Sequence, residues 1–411
     1  MLLKMCEKWS SLLNKGKIIG VLLIDFSKAF DSVCHKTLLK KMSAIGISGE
    51  IYDWCKSYLT NRQQFVTIGN TKSETKPVEQ GVPQGSLLGP RFYSYHANDL
   101  PDAVKQPIEN QSDEDGEDEA EMFADDTTEF SIADSIDKLI PKIQKASNSL
   151  HNWSILNSMV IHPGKTKVMI VSKRKFIGPI QNITMGGRDL EIVENQKVLG
   201  VTIDNSMTWK FQLEKVLKHF RSKIKMLKRM SVLGQKVTTK FYYSAIIPSI
   251  IYNITIWGNS DTTIKNLNEL HAKAAKVIYW LPNHLSNEET LRIVGWMTMD
   301  YIYKRRLLCL MHKVYYKNID PEILKMFLVP DEKSPQRRDY QIKISLDFNA
   351  NNCNAFTKKA SKIWNAMPNE LTGTKNYNSF LKKLPQFKSK IEKFSFVYNS
   401  YNIDDDFIFI Q

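Results

Sequence analysis

The chain has 411 residues, of which 42% are hydrophobic and 10% aromatic, enough for two or three domains with sizeable cores. Fifty-seven Lys and Arg against 43 Asp and Glu leave a formal charge of +14, which points to a polyanion such as nucleic acid, with a solvated basic surface as the plain alternative. The most apolar run, IIGVLLI, is too short to span a membrane, and five scattered cysteines without a CxxC pair argue against a zinc knuckle.

Leu2, Leu3, Cys6, Trp9, Leu12 and Leu13 recur at helical spacing, and Lys15-Gly16 closes that helix. IIGVLLI then reads as a buried strand ending at Asp25. HKTLLKKMSAIG and EIYDWCKSYLTNR follow as helices, and QQFVTIGNTKSETKPVEQGVPQGS alternates like a hairpin before a Gly/Pro turn into a further helix. Residues 108–121 are acidic and without an apolar pattern, which predicts a solvated loop. After FADD the spacing predicts a helix over about 135–158 and then a strand, KVMIVSK. ITMGGRDLEIV reads as a hairpin about Gly186-Gly187, and KVLGVTID completes this first region.

Beyond Asp204 the character changes. From Lys210 to Lys240 ten Lys and Arg stand against one acid, Glu214, while Leu213, Val216, Leu217, Phe220, Ile224, Leu227 and Met230 form one apolar stripe. The pattern is a helix with one buried and one basic face. A polar linker, VPDEKSPQRRD, precedes a last helical piece around KKASKIWNAMPNEL and NSFLKKLPQF. The expected domains are 1–204, 205–325 and 326–411. The short charged start does not read as a signal peptide, so an intracellular protein with reduced thiols and no membrane partner is expected, in nucleus or cytoplasm.

Two places carry chemistry. Asp25 ends an apolar strand, and Asp125-Asp126 follow the short apolar step Met122-Phe123-Ala124 about one hundred residues later. Adjacent acids in a loop are usually only solvated. Widely separated aspartates at strand ends, however, are what a two-magnesium phosphoryl-transfer site requires, because two ions about 3.5–4 Å apart must be bridged and oriented. Between them lies GVPQGS, whose glycines let backbone approach a ligand closely.

Taken in order, IDFSKAFDSVCHKTLL, EQGVPQGSLLGP, FADDT, a KTK segment and VLGVTID resemble the successive palm motifs of reverse transcriptases, above all those of LINE-type, non-LTR, jockey-like retrotransposons. The resemblance implies an α+β fold: a right-hand polymerase palm with an antiparallel sheet backed by helices, then an α-helical thumb and a C-terminal helical region. It implies two Mg²⁺ ions held by Asp25, Asp125 and the carbonyl of Phe26, with Asp126 as supporting carboxylate. Phe30 matches the aromatic gate that refuses a 2′-hydroxyl, its plain alternative being a ring packed at a corner. Asp31 is expected to cap the following helix. Gln84 and Gly85, with Gly81, Pro83 and Ser86, match the loop against the incoming nucleotide, and Lys165 the lysine near the pyrophosphate, unless it is merely a solvated loop lysine. Leu199, Gly200 and Ile203 match the primer-gripping hairpin. Lys218, Arg221, Lys225, Lys228 and Arg229 would then contact phosphates.

The function implied is RNA-directed DNA polymerisation, with an RNA template, a DNA primer and dNTPs as partners. An RNA-templated RNA polymerase fits less well because of the aromatic Phe30. The alternative from a different class is a non-catalytic nucleic-acid-binding relic. Relatives carry a fingers region before the first aspartate, whereas this sequence starts about two dozen residues before Asp25, so an N-terminally truncated palm and thumb is expected.

Overall fold

The computed structural model describes residues 1–104, 119–124, 126–174, 180–328, 342–344 and 356–396, which leaves the VPDEKSPQRRD linker outside them. The chain divides into two compact units, Met1–Met5 with Leu12–Trp209 and Cys6–Ser11 with Lys210–Gln411. Helix and strand are mixed in the first unit, and the second is predominantly helical.

Helix α1 (Leu2–Asn14) leads into strand β1 (Ile18–Ile24), which is buried along its whole length, as a continuous apolar run demands. A five-stranded sheet forms around it. Its members are β2 (Glu119–Phe123), β3 (Asp126–Ala133), β4 (Lys167–Val171) and β5 (Glu191–Ile192), in the order β5-β4-β1-β3-β2. Neighbours are antiparallel except β4 and β5, which run parallel. Helices α2 (His35–Ala44), α3 (Gly49–Leu59), α4 (Gly89–His96), α5 (Leu100–Val104) and α6 (Ile136–Leu156) contribute to one apolar core with the sheet, in which Leu22, Leu38, Phe92, Ile143 and Trp153 meet.

One contact fixes how closely α6 lies on β1. A Cβ added at Gly20 would stand 2.1 Å from Ile143 Cδ1 and 2.5 Å from its Cγ1. Gly20→Ala should therefore cost about 1–3 kcal/mol through overpacking. The measurement is the denaturant midpoint at unchanged slope, and an unmoved midpoint would show that α6 yields freely.

One expectation needs correcting. The acidic loop does not extend to residue 121, because Glu119–Phe123 is β2, paired with β3 from Glu119↔Phe130 to Phe123↔Asp126. Its charge is accommodated at the sheet edge, where Glu121 pairs with Lys4 at 2.7 Å. The helix expected over about 135–158 is α6, Ile136–Leu156, and the stretch between it and FADD is a strand. This is β3, with Thr127, Thr128, Glu129 and Ser131 all buried and Ser131 Oγ donating to Glu129 Oε1 at 2.9 Å. A buried strand rich in polar groups has no apolar run to announce it.

In the second unit helix α7 (Lys210–Met230) buries Val216, Leu217, Phe220, Ile224 and Leu227. Further helices include α8 (Asp261–Tyr279), α9 (Met299–Tyr315) and α10 (Phe356–Asn365). Tyr242 stacks on Trp296 with centroids 4.8 Å apart, and its hydroxyl donates to His271 Nδ1 at 2.6 Å while His271 Nε2 donates to the Met297 carbonyl at 3.0 Å. Burial pushes the His271 pKa down to about 4. The first turn of α10 is capped from α1: the buried Glu7 carboxylate accepts from Phe356 N–H at 2.9 Å and Thr357 Oγ1 at 3.0 Å, and burial raises its pKa.

Cys6, Cys34, Cys55 and Cys309 are free thiols, and Cys353 lies outside the described residues. Among the described residues no helix is long and apolar enough to cross a membrane.

Candidate active site

Strands β1 and β3 run antiparallel with Ile24 opposite Thr127. One residue beyond that pair stand Asp25 on one strand and Asp126 on the other, so two carboxylates leave adjacent strands at the same end of the sheet. The β2–β3 hairpin closes with Phe123 opposite Asp126, leaving Ala124, at φ 55°, and Asp125 between them. Asp125 itself lies outside the described residues.

Asp25 is held by its main chain. Its N–H reaches Thr166 Oγ1 at 3.4 Å and its carbonyl accepts from His162 N–H at 2.8 Å. The turn between those two partners carries Lys165, whose Nζ stands 3.6 Å from Asp25 Oδ2. Both side chains are substantially exposed, at 65% for Lys165 and 44% for Asp25, so this pair contributes position rather than stability. Thr166, fully buried, was not singled out by sequence; its only signal is a hydroxyl residue at the head of an apolar strand.

Phe26 pairs with Ile161 in a short ladder, and its ring is buried edge-on against Trp153, with centroids 6.1 Å apart. With the ring committed to the core, the backbone carbonyl is the only group Phe26 can offer a metal. Phe30 lies in the 3₁₀ turn Ala29–Ser32, half-buried, with its ring centroid 4.9 Å from that of Tyr93.

The capping role expected of Asp31 is not observed. Cys34 is the N-cap of α2 and makes no side-chain cap bond, while Asp31 Oδ1 accepts from Gln84 Nε2 at 3.0 Å. Asp31 therefore ties the Phe30 turn to the Gly/Pro loop, three residues before it is close enough to cap. Backbone bonds reinforce the tie, from Gly81 N–H to Val33 O at 2.8 Å and from Val82 N–H to Phe30 O at 2.9 Å. His35 Nε2 donates to the Gly81 carbonyl at 2.7 Å. Gly81 is required twice over: φ is +88°, and a Cβ would meet the Asp31 carbonyl oxygen at 2.9 Å. Gly85, at φ +80°, faces open space. Ser86 Oγ donates to the Pro83 carbonyl at 2.8 Å and accepts from Gly89 N–H at 2.9 Å, which opens α4.

Strands β6 (Asn195–Val198) and β7 (Val201–Asp204) form a hairpin whose two turn residues both have positive φ, 46° at Leu199 and 87° at Gly200. Leu199 is half-buried and Gly200 exposed at the tip, whereas Ile203 is fully buried and serves packing. Buried Asp204 ends the hairpin, accepting from Ser206 N–H, Thr208 N–H and Oγ1, and Trp209 N–H at 2.7–3.2 Å. Lys218, Arg221, Lys225, Lys228 and Arg229 are all exposed on α7, which belongs to the second unit.

The structure thus gathers Asp25, Asp126 and Lys165 around one end of β1, and separately joins the Phe30 turn to Gln84. Oxygen donors of this kind, hard and solvent-accessible, suit Mg²⁺ rather than a softer metal. Among the described residues no three His, Cys, Asp or Glu side chains gather as a metal group, and the third expected carboxylate is the undescribed Asp125.

Comparison with known proteins gives the same direction. Residues 3–203 match the reverse transcriptase (RNA-dependent DNA polymerase) family. The RNA-directed DNA polymerase from mobile element jockey of Drosophila melanogaster is 26% identical over 284 residues, 68% of this chain and 30% of that protein. Its counterpart from Drosophila funebris is 27% identical over 65% of this chain and 28% of its own length. The probable RNA-directed DNA polymerase from transposon BS of Drosophila melanogaster is 26% identical over 68% and 31%. The chain spans under a third of the length of these relatives. Residues 3–203, just under half of this chain, thus resemble the reverse transcriptases of LINE-type, non-LTR elements.

Proposed function

We infer that this chain is the palm and thumb portion of an RNA-directed DNA polymerase that extends a primer 3′-hydroxyl with dNTPs on an RNA template. The observation that supports it most is the exit of Asp25 and Asp126 from neighbouring strands one step beyond Ile24↔Thr127. In this reading Asp25, Asp125, Asp126 and the Phe26 carbonyl hold two Mg²⁺ ions, which when bound supply Lewis acidity to the primer hydroxyl and charge compensation to the leaving pyrophosphate.

The remaining roles belong to the chain's own groups. Lys165, beside Asp25, offers a cation, or a proton, toward the leaving phosphates. Gln84 and Gly85 line the incoming nucleotide, Gln84 being oriented by Asp31 and Gly85 leaving space for a close approach. Phe30, braced by Tyr93, presents a flat ring to the sugar. The Leu199-Gly200 tip meets the primer, and the exposed cations of α7 hold phosphates without reading bases, so affinity falls steeply with salt.

Primer extension on an RNA template with magnesium tests the reading. The wild-type chain should extend with dNTPs and discriminate against NTPs, while Phe30→Val should relax that discrimination by about tenfold or more. Unchanged discrimination would return Phe30 to a packing role. Binding without any extension by the wild type would favour the non-catalytic relic.

A further inference from the structure

The last described helices, like α7, are strongly basic. Residues 356–396 hold nine lysines against two acids, Glu370 and Glu392. Trp364, Leu371, Phe380, Leu384 and Ile391 are fully buried as the core of this region. Beside that core opens a groove of about 540 Å³, reached from the end of α10 and from the helical segment Lys388–Lys393.

Its apolar lining is Met367, buried, and the half-buried rings of Phe387 and Phe394. Lys390 and Lys393 stand exposed at the same groove, and neither ammonium group makes a hydrogen bond or ion pair with a described residue. Lys388, by contrast, is engaged by Glu392 at 3.8 Å. The Phe394 wall is fixed from behind. Lys304, nearly buried and paired with Asp300 at 2.6 Å, donates to the carbonyls of Glu392 at 3.2 Å and Phe394 at 2.5 Å.

A groove of this volume takes a ligand of nucleotide size and cannot admit a stacked duplex. Aromatic rings below and unpaired ammonium groups at the mouth are the two parts of a single-strand site, one for a base face and one for its phosphates. The uncharged Gln386 and Ser389 on the lining give a ribose 2′-hydroxyl a partner. We propose that this groove grips one nucleotide of single-stranded RNA. It is a second nucleic-acid contact, outside residues 3–203, and it does not depend on the polymerase reading.

The test uses the full chain and a labelled single-stranded oligouridylate, with anisotropy measured across a salt series. The double variant K390Q/K393Q should lower the slope of log affinity against log salt by about 1.4, the value for two phosphate contacts on a single strand. Phe394→Ala should weaken binding several-fold at unchanged slope, and ultraviolet crosslinking should mark the Phe387–Phe394 segment. Lys382→Gln, an exposed lysine that does not line the groove, is the control. An effect from Lys382→Gln equal to that from each groove lysine would overturn the site in favour of diffuse charge, as would an unchanged slope in the double variant. Equal dependence for the matching deoxyoligonucleotide would overturn the assignment to RNA. Displacement of the crosslink by a synthetic peptide of residues 397–411, where three aspartates precede FIFI, supports a shared groove; crosslinking absent until residues 397–411 are deleted would make that segment its occupant instead. Primer extension is scored separately, so failure here leaves the polymerase reading untouched.

Discussion

Asp25→Asn is expected to reduce RNA-templated primer extension by at least about 10²–10³-fold while leaving primer–template affinity nearly unchanged. The substitution keeps the shape and removes the charge. The fold should survive it, because Asp25 is anchored through its backbone to Thr166 and His162 and its carboxylate is well exposed. Asp125→Asn should fall as far, and Asp126→Asn less, if Asp126 only supports. Lys165→Ala separates two roles for the lysine: a lowered rate at constant nucleotide KM points to the leaving group, a raised KM to triphosphate binding. An Asp25→Asn protein that extends primers like the wild type would sink the catalytic assignment.

The second large effect is acid lability. His271 and His96 are both buried, and burial pushes each pKa down from the ordinary 6.5 to about 4; the Lys41 charge also depresses His96. Lys41 donates to the His96 carbonyl and to Asp99, each at 2.6 Å, and His96 Nε2 meets the Asn157 carbonyl at 3.2 Å. Both rings are neutral in the folded chain at neutral pH, whereas in the unfolded chain they bind protons below about 6.5. Their stabilisation is therefore complete above about 6.5 and is lost as pH falls toward 4, amounting to about 2–3 kcal/mol each by pH 4.5. Glu7, with its raised pKa, works in the opposite direction. Denaturant titrations at pH 7.5 and 4.5 should show the loss. Trp296, 5.1 Å from His271, reports on the second unit, and Trp153, which donates to Asp99, on the first. His96→Asn should flatten the pH dependence at Trp153 alone. A wild-type profile without slope between pH 6.5 and 4.5 would refute the buried neutral rings.

Reading the sequence succeeded where one property filled an element. IIGVLLI is all apolar and is the central strand, and Gly186-Gly187 sits at a turn whose positive φ angles demand glycine. It failed where burial was polar. Strand β3, internal in the sheet, hides its period behind buried Glu129 and Ser131, which share a hydrogen bond. At the site, ordered motifs brought out Asp25, Gln84 and Lys165, but the tie between Asp31 and Gln84 spans 53 residues and cannot be read from local spacing. Asp204 differs: its four acceptor contacts reach only two to five residues ahead, a local turn that no apolar period announces.

The Glu7 cap sets a clock on biosynthesis. Its donors lie 349 and 350 residues downstream, so the carboxylate waits for nearly the whole chain to be made. At the usual 5–20 residues per second that is about 20–70 s in which the Glu7 carboxylate lacks its final donors. A ribosome that stops before residue 356 releases a chain whose Glu7 lacks those donors, and such fragments should be prime clients for chaperones and proteases.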